Sequence, residues 1–195
     1  MPVEDLNVGD RVQTLDNGVK ILRWIGKTDV DFHQGAGLHA GKHRPIEFKA
    51  GALGAGVPRH CLRVSPQHRM LLAGLEVETA FGTSQVLAMA KALVGLPGVR
   101  VMQGARRTVY YSLLFDAHQI VFANGAPSES FRPGPVVLAG FSPQARQQVL
   151  EIYPGLADGA ASKLAPLARR CLKRREIDCF VASMDVPAQI ALVSG

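Results

Sequence analysis

The stretch from residue 109 to residue 131, VYYSLLFDAHQIVFANGAPSESF, most constrains how this chain can fold. Two runs rich in aromatic and branched residues, typical of β-strands, flank the polar joint Asp116-Ala117-His118. The second run ends at Asn124-Gly125, which favours a hairpin turn because both residues tolerate a positive φ. The segment therefore predicts a β-rich domain. Its joint, an aspartate two residues before a histidine, predicts either a turn cap or the start of a site.

The residues upstream of this segment predict short strands joined by turns. Residues 11–15 alternate in polarity, Asp16-Asn17-Gly18 favours a hairpin turn, and residues 19–25 return as a second strand. That strand carries the only tryptophan, Trp24, which we expect to anchor the core or its rim. With 195 residues, 47% of them hydrophobic, the chain is long enough for one domain and a small extension.

The composition changes after Phe131. The run Pro133-Gly134-Pro135 interrupts regular structure, and Ser142-Pro143 predicts the start of a helix that runs to Tyr153. Residues 177–183 are compatible with a last strand. We therefore divide the chain into an all-β domain over residues 1–135 and a mainly helical extension over residues 136–195.

Several classes of protein are disfavoured by composition. The three cysteines form no C-x-x-C pair, so we expect buried free thiols rather than a disulfide framework or a zinc site. The first ten residues are polar and acidic, which predicts no signal peptide, and no apolar run is long enough to span a bilayer. We expect a soluble protein, either cytoplasmic or exported within a longer parent, and no membrane partner.

Two clusters invite a binding interpretation. His33, His39 and His43 share a glycine-rich loop, but their spacing suits no regular ligand set, so we favour a solvated loop and expect no metal or cofactor. A basic cluster at residues 169–175 lacks interleaved aromatic residues. A solvated helix face accounts for it better than a nucleic-acid partner does.

The second informative stretch is CLRVSPQHRMLL at residues 61–72. Two β-like runs are broken by Ser65-Pro66, because proline favours a bulge or turn over a central strand position. Ser65 and His68 lie three residues apart across this break, so a hydroxyl and an imidazole can converge on one point. The alternative, favoured on this segment alone, is that Ser65 caps the turn and His68 satisfies a backbone carbonyl.

Three separated pieces of the sequence together resemble one family. They are PVEDL with VGD at residues 2–10, VSPQHR at 64–69, and LFDAH, VFANG and SESF at 114–131. Their order and spacing are similar to the Hint (hedgehog/intein) domain, and specifically to its bacterial branch, from the start of the chain to about Phe131. The tail, at residues 142–152 and 172–176, also resembles that branch.

The resemblance implies an all-β, horseshoe-like fold of bent antiparallel strands, and self-processing chemistry. In this family a cysteine at the first residue attacks the preceding carbonyl, which turns the peptide into a thioester. The family's Thr/Ser-x-x-His motif matches Ser65 and His68. Ser65 is then expected to position the scissile peptide, and His68 to protonate the departing nitrogen. Asp116 and His118 match a second block, which is expected to orient groups or shuttle protons.

Departures from the family pattern limit the activity we expect. The cysteine-led opening should precede Pro2, but the chain begins at Met1 and its cysteines lie elsewhere. We therefore expect a Hint-type domain whose own N-terminal flanking polypeptide is the substrate, and which does not cleave as written, either because the nucleophile strand lies upstream or because it has been lost. The intein ending is absent, so splicing is not expected. The alternative is a non-catalytic β-rich module that binds other proteins.

Overall fold

The chain folds mainly into short antiparallel β-strands, which a computed structural model describes over residues 1–32, 40–157 and 166–184. The strands are β1 (Arg11–Gln13), β2 (Val19–Ile21), β3 (Trp24–Asp31), β4 (Ile46–Phe48), β5 (Leu62–Val64), β6 (Arg69–Ala73), β7 (Gln85–Met89), β8 (Val99–Val101), β9 (Arg107–Leu114), β10 (Ile120–Ala123), β11 (Ala126–Glu129) and β12 (Arg170–Cys171). The helices are α1 (Leu75–Phe81), α2 (Pro135–Ala139), α3 (Pro143–Ile152) and α4 (Arg174–Ser183). The predicted all-β class with helices near its C-terminus is confirmed.

The strands form four sheets. The largest has the order β10-β11-β6-β7-β12 and is antiparallel except for the parallel pair between β12 and β7. Strands β3 and β9 form a ribbon eight residues long, β5-β4-β8 form a three-stranded sheet, and β1-β2 form a hairpin. The segment from 109 to 131 thus contributes to two sheets, since β9 lies in the ribbon while β10 and β11 lie in the largest sheet.

The two predicted hairpin turns are present. Residues 14–18 connect β1 to β2, and the Thr14 N–H donates to the Gly18 carbonyl at 2.8 Å. Asn124 and Gly125 have φ values of 50° and 82°, the left-handed conformations that a tight turn between β10 and β11 needs. The predicted strand over residues 19–25 is split, because the Leu22 N–H turns to the Asp10 carbonyl and Trp24 begins β3.

The main core lies between the large sheet, the three-stranded sheet and the helices α1 and α4. Every second side chain along β6 and β7 faces this core and is fully buried. These residues are Met70, Leu72, Val86 and Ala88. Phe48 from β4 packs into the same cluster. The residues on the other face of the large sheet, Leu71, Leu87 and Ile120, form a separate small cluster with Ala168 and Cys171.

The C-terminal part of the chain packs closely on the β-sheets. Trp24 stacks on Phe141 with ring centroids 5.6 Å apart, and its indole N–H donates to Gln148 of α3 at 3.0 Å, so Trp24 is a core anchor as predicted. Gly26 makes room for this ring, since a Cβ there would lie 2.2 Å from the indole. The boundary at residue 135 remains a prediction. Residues on both sides of it pack into one hydrophobic cluster.

The two C-terminal elements differ in how well the sequence predicted them. Helix α3 begins as expected, and the Ser142 hydroxyl accepts the Ala145 N–H at 3.2 Å. The last strand predicted over residues 177–183 is wrong, because this segment belongs to α4. Its apolar residues Ile177, Phe180 and Val181 recur at helical spacing and pack against the main core. None of the helices that the structure describes is long and apolar enough to cross a membrane.

Candidate active site

The turn between β5 and β6 holds the first predicted pair, Ser65 and His68. The His68 N–H donates to the Ser65 carbonyl at 3.1 Å, which closes the turn, and the His68 carbonyl accepts the Ala90 N–H at 2.8 Å. The Pro66 carbonyl accepts the Lys91 N–H at 3.0 Å, so the turn is fixed on both sides of the proline. These backbone bonds position His68 at the entrance to β6. No hydrogen bond of the Ser65 hydroxyl is found among the described residues.

His118 lies just before β10 and is the most enclosed of the predicted residues. Its side chain has no exposed surface. Its Nδ1 accepts the backbone N–H of Ala168 at 3.1 Å. A ring nitrogen that accepts a hydrogen bond carries no proton, so the hydrogen-bond network assigns the single proton of a neutral ring to Nε2. Nε2 lies 3.5 Å from Oε2 of Glu129 and, within the described structure, has no hydrogen-bond partner.

Glu129 ends β11 and joins the two histidine-bearing segments. Its Oε1 accepts the backbone N–H of Arg69 at 3.0 Å, and the Arg69 guanidinium contacts both carboxylate oxygens at 3.1–3.2 Å. Only 11% of the Glu129 side chain is exposed. The contact from His118 to Oε2 is longer than an ordinary hydrogen bond, so we treat it as electrostatic. Glu129 is therefore the centre of a cluster with the Arg69 cation and the His118 imidazole, and the backbone N–H of Arg69 ties it to the residue directly after His68.

The charges of this cluster perturb one another. Burial acts to raise the pKa of Glu129, but His118, Arg69 and His68 outweigh it and hold this pKa below its usual range. Burial lowers the pKa of His68, and Arg69 adds to this effect, while the Glu129 carboxylate opposes it. The neutral form of His68 is therefore favoured near pH 7. His118 thus lies 3.5 Å from the carboxylate of Glu129, and His68 is near enough for its charge and that of the carboxylate to influence each other.

The fourth predicted residue, Asp116, is not part of this cluster. Its side chain is 66% exposed and pairs with Arg23, whose Nε lies 2.9 Å from Oδ1. The chain bends at residues 116–117 and buries His118, so the two side chains of the Asp-x-His pattern face different environments. The roles predicted for all four residues remain predictions.

The sequence interpretation missed three contributors to the site. Glu129 stood inside the quoted run SESF, but an acidic residue at the end of a strand resembles an ordinary solvent-facing position. Arg69 directly follows the Ser-x-x-His motif, and only its contact with Glu129 distinguishes it from other surface arginines. The backbone N–H of Ala168 has no signal in a sequence, because a backbone donor is available at every residue except proline.

The cysteines differ from the expectation of buried thiols. Cys61 and Cys179 are exposed, so the expectation is wrong for them, and Cys171 is partly buried. Burial raises the pKa of the Cys171 thiol, and both Arg69 and Glu129 lie close enough to influence it. Cys171 therefore lies near the cluster, and its burial favours the protonated, less nucleophilic thiol.

The two clusters that invited a binding interpretation are separate from this site. His33 and His39 lie outside the described residues, whereas His43 is exposed and its carbonyl accepts the Tyr110 hydroxyl at 2.6 Å. Over residues 1–32, 40–157 and 166–184, no three His, Cys, Asp or Glu side chains are placed to hold a metal ion. In the basic cluster, three of the four arginines are paired with acidic residues, in the pairs Arg169–Asp16, Arg170–Glu176 and Arg174–Asp178.

Comparison with known proteins gives one result. A family model described as the Hint domain matches residues 1–135, which is more than half of the chain. Neither a curated protein nor a solved structure matches the chain. The match covers His68, His118 and Glu129, whereas Ala168 lies beyond it.

Proposed function

The chain belongs to the Hint-domain family, and from that premise we propose that it is a self-processing domain whose substrate is the peptide bond to its own N-terminal flanking polypeptide. The observation that supports this proposal is the buried carboxylate of Glu129, which lies 3.5 Å from the His118 imidazole and accepts the backbone N–H of Arg69, the residue directly after His68. Proton transfer around a scissile peptide needs an imidazole that can both take and give a proton near neutral pH.

The nucleophile in this proposal is the thiol of a cysteine-led strand joined ahead of Pro2. The sulfur attacks the carbonyl carbon of the preceding residue and gives up its proton. The carbon–nitrogen bond then breaks, and the nitrogen takes up a proton to leave as a free amine. The product is a thioester, which water or an external thiol resolves by releasing the flanking polypeptide and regenerating the cysteine.

His68 is the proposed proton carrier for this step. Its lowered pKa favours the neutral ring, which can accept the thiol proton. The imidazolium formed in this way is a stronger acid than an ordinary one, so it readily passes the proton to the departing nitrogen. The negative charge of Glu129 stabilises the imidazolium while it exists. Ser65 is proposed to position the scissile peptide through its hydroxyl.

Asp116 and His118 are proposed to support the reaction without touching the scissile bond. His118 orients the Glu129 carboxylate by presenting its Nε2 to Oε2. Asp116 acts from the surface through its ion pair with Arg23, the residue directly before β3. We expect its loss to matter far less than the loss of either histidine.

The test joins a cysteine-led Hint opening strand and a carrier protein to residue 2 and follows release of the carrier by mass spectrometry. We expect release, accelerated by added thiol, and a loss of about 10²- to 10⁴-fold when His68 is replaced by alanine, the usual contribution of a general acid–base. His60→Ala is the matched control, because His60 is exposed and in the turn before β5. Equal release from H68A would refute the assignment of His68.

The alternative function is a non-catalytic binding module on the same scaffold. It would be favoured if the cysteine-led fusion forms no thioester that hydroxylamine or thiols can trap. The two outcomes are distinguished by the trapped adduct itself, whose mass identifies the carrier cut at the bond before the cysteine.

A further inference from the structure

We propose that the C-terminal segment of residues 166–172 is a positioning strap for His118, in which the backbone N–H of Ala168 fixes the imidazole so that Nε2–H faces Glu129. This inference rests on the proposed function for its catalytic consequence, but the hydrogen bond itself can be tested without any cleavage. It extends the candidate site beyond residue 135, where the family match ends.

The first observation is the environment of His118. The ring is completely enclosed, and its two nitrogens face two different partners, the Ala168 N–H at 3.1 Å and the Glu129 carboxylate at 3.5 Å. With the Nδ1 position occupied by a donor, a neutral ring holds its proton at Nε2. An imidazole with a functional role is commonly oriented by a hydrogen bond to its other nitrogen. Ala168 supplies that bond here.

The second observation is how firmly the strap is held on its downstream side. Cys171 pairs with Leu87 in β7, and the Leu172 N–H donates to the Leu87 carbonyl at 2.9 Å. Leu172 is buried in the main core, and Ala168 packs with Leu87 against the far face of the large sheet. The strap thus includes β12, the edge strand of the sheet that carries Glu129.

The third observation is an anchor directly beside Ala168. Arg169 contacts both oxygens of Asp16, in the turn between β1 and β2, at 2.5 and 3.1 Å, and its Nε donates to Gln85 at 2.5 Å. The next residue of that turn, Asn17, donates to the Gln119 side chain at 2.8 Å. One turn therefore binds the residue after Ala168 and the residue after His118, which sets the relative position of donor and acceptor.

The experiment measures the hydrogen bond by NMR in the full chain labelled with nitrogen-15. We expect a scalar coupling between the Ala168 amide nitrogen and Nδ1 of His118, and a neutral ring that carries its proton only at Nε2. Ala168→Pro removes the donor and should abolish the coupling. Ala168→Gly keeps the N–H and is the matched control, in which the coupling should persist.

A second variant guards against misfolding of A168P. Arg169→Gln keeps the backbone N–H but breaks the ion pair to Asp16, and we expect a weaker coupling and two ring forms in exchange. A wild-type ring protonated at Nδ1 would overturn the proposal. So would ring signals that are the same in the wild type, A168P and R169Q.

The catalytic consequence is measured on the cysteine-led fusion. We expect A168P to slow thioester formation by roughly 10- to 100-fold, the range known for loss of a group that orients a metal-bound imidazole, and A168G to remain near the wild type. If the wild type releases no carrier while the coupling is present, the proposed function fails and the strap stands. If the wild type and A168P release the carrier equally although the coupling is lost, the positioning role is refuted and the function stands.

Discussion

Two carboxylates of this molecule are each paired with an arginine, but they lie in opposite environments. Glu129 is 11% exposed and contacts Arg69 from inside the cluster that includes His118, whereas Asp116 is 66% exposed and pairs with Arg23 at the surface. The sequence presented Asp116 as the functional residue, since it stands in a recognisable Asp-x-His pattern. In the structure, Glu129 is more buried than Asp116 and is held by both the backbone and the side chain of Arg69.

The difference shows that a charge acts on a site according to its surroundings. An exposed ion pair contributes little because water screens it, whereas a buried carboxylate that loses its partners leaves uncompensated charges behind. The pKa of Glu129 is shifted by three neighbouring groups, and it in turn shifts the pKa of His68. Chemistry that depends on proton affinity should therefore respond to Glu129 and hardly to Asp116.

The largest expected effect is on stability. Glu129→Ala should lower the free energy of unfolding by about 3 kcal/mol, near the lower end for a broken buried ion pair, because Arg69 keeps some access to water. Asp116→Ala should cost less than about 1 kcal/mol. Urea unfolding of both variants measures the difference. Glu129→Gln, which keeps one acceptor oxygen, should recover part of the loss, and equal losses in E129A and D116A would contradict the comparison.

A smaller effect is expected in the pH dependence of stability. The pKa of His68 lies below its unfolded value of 6.5, so the unfolded chain binds the proton first as the pH falls. The stability that neutral His68 contributes is complete above pH 6.5 and is lost as the pH falls towards the folded pKa of His68. His68→Gln should therefore unfold with a flatter pH dependence between pH 7 and pH 5.

The same measurement extends to Glu129. Its folded pKa lies below 4.5, so its contribution is present above that value and is lost on further acidification. Glu129→Gln should reduce the fall in the free energy of unfolding below pH 4.5. In the same range H68Q should follow the wild type. Curves that run parallel to the wild type in both variants would show that neither group is perturbed.

The smallest expected effect is a response to salt. A double-mutant cycle of Arg23→Ala and Asp116→Ala should give a coupling of about 0.5 kcal/mol at low salt, and none at 1 M salt, where the screening length falls to about 3 Å. A cycle of Arg69→Met and Glu129→Gln should keep most of its coupling at both salt concentrations. A salt-insensitive Arg23–Asp116 pair would remove the distinction between the two carboxylates.

Much of the fold was predictable because its signals are local. The turns at Asn17-Gly18 and Asn124-Gly125, the start of α3 at Ser142-Pro143 and the strand character of residues 109–131 each depend on residues close in sequence. The exception, α4, has apolar residues whose spacing fits a helix better than a strand, but the segment is short and rich in β-branched and aromatic residues.

The site was only partly predictable because its contacts are distant in sequence. His68 and His118 were identified from their motifs, but Glu129 lies 60 residues beyond Arg69, and Ala168 lies 50 residues beyond His118. No local pattern indicates that a strand residue will face an arginine rather than water. Asp116 is exposed and His118 is buried because the chain bends at residues 116–117. The spacing of the two residues in the sequence does not reveal this bend.

The pairing of β12 with β7 sets an order of events during synthesis. Chains fold from the N-terminus as they emerge, so the sheet containing Glu129 is available before residue 168 has left the ribosome. During that interval the Nδ1 of His118 lacks the Ala168 donor that fixes the ring. In a nascent domain of this kind, the orientation of the His118 ring is therefore fixed only after residue 168 has emerged from the ribosome.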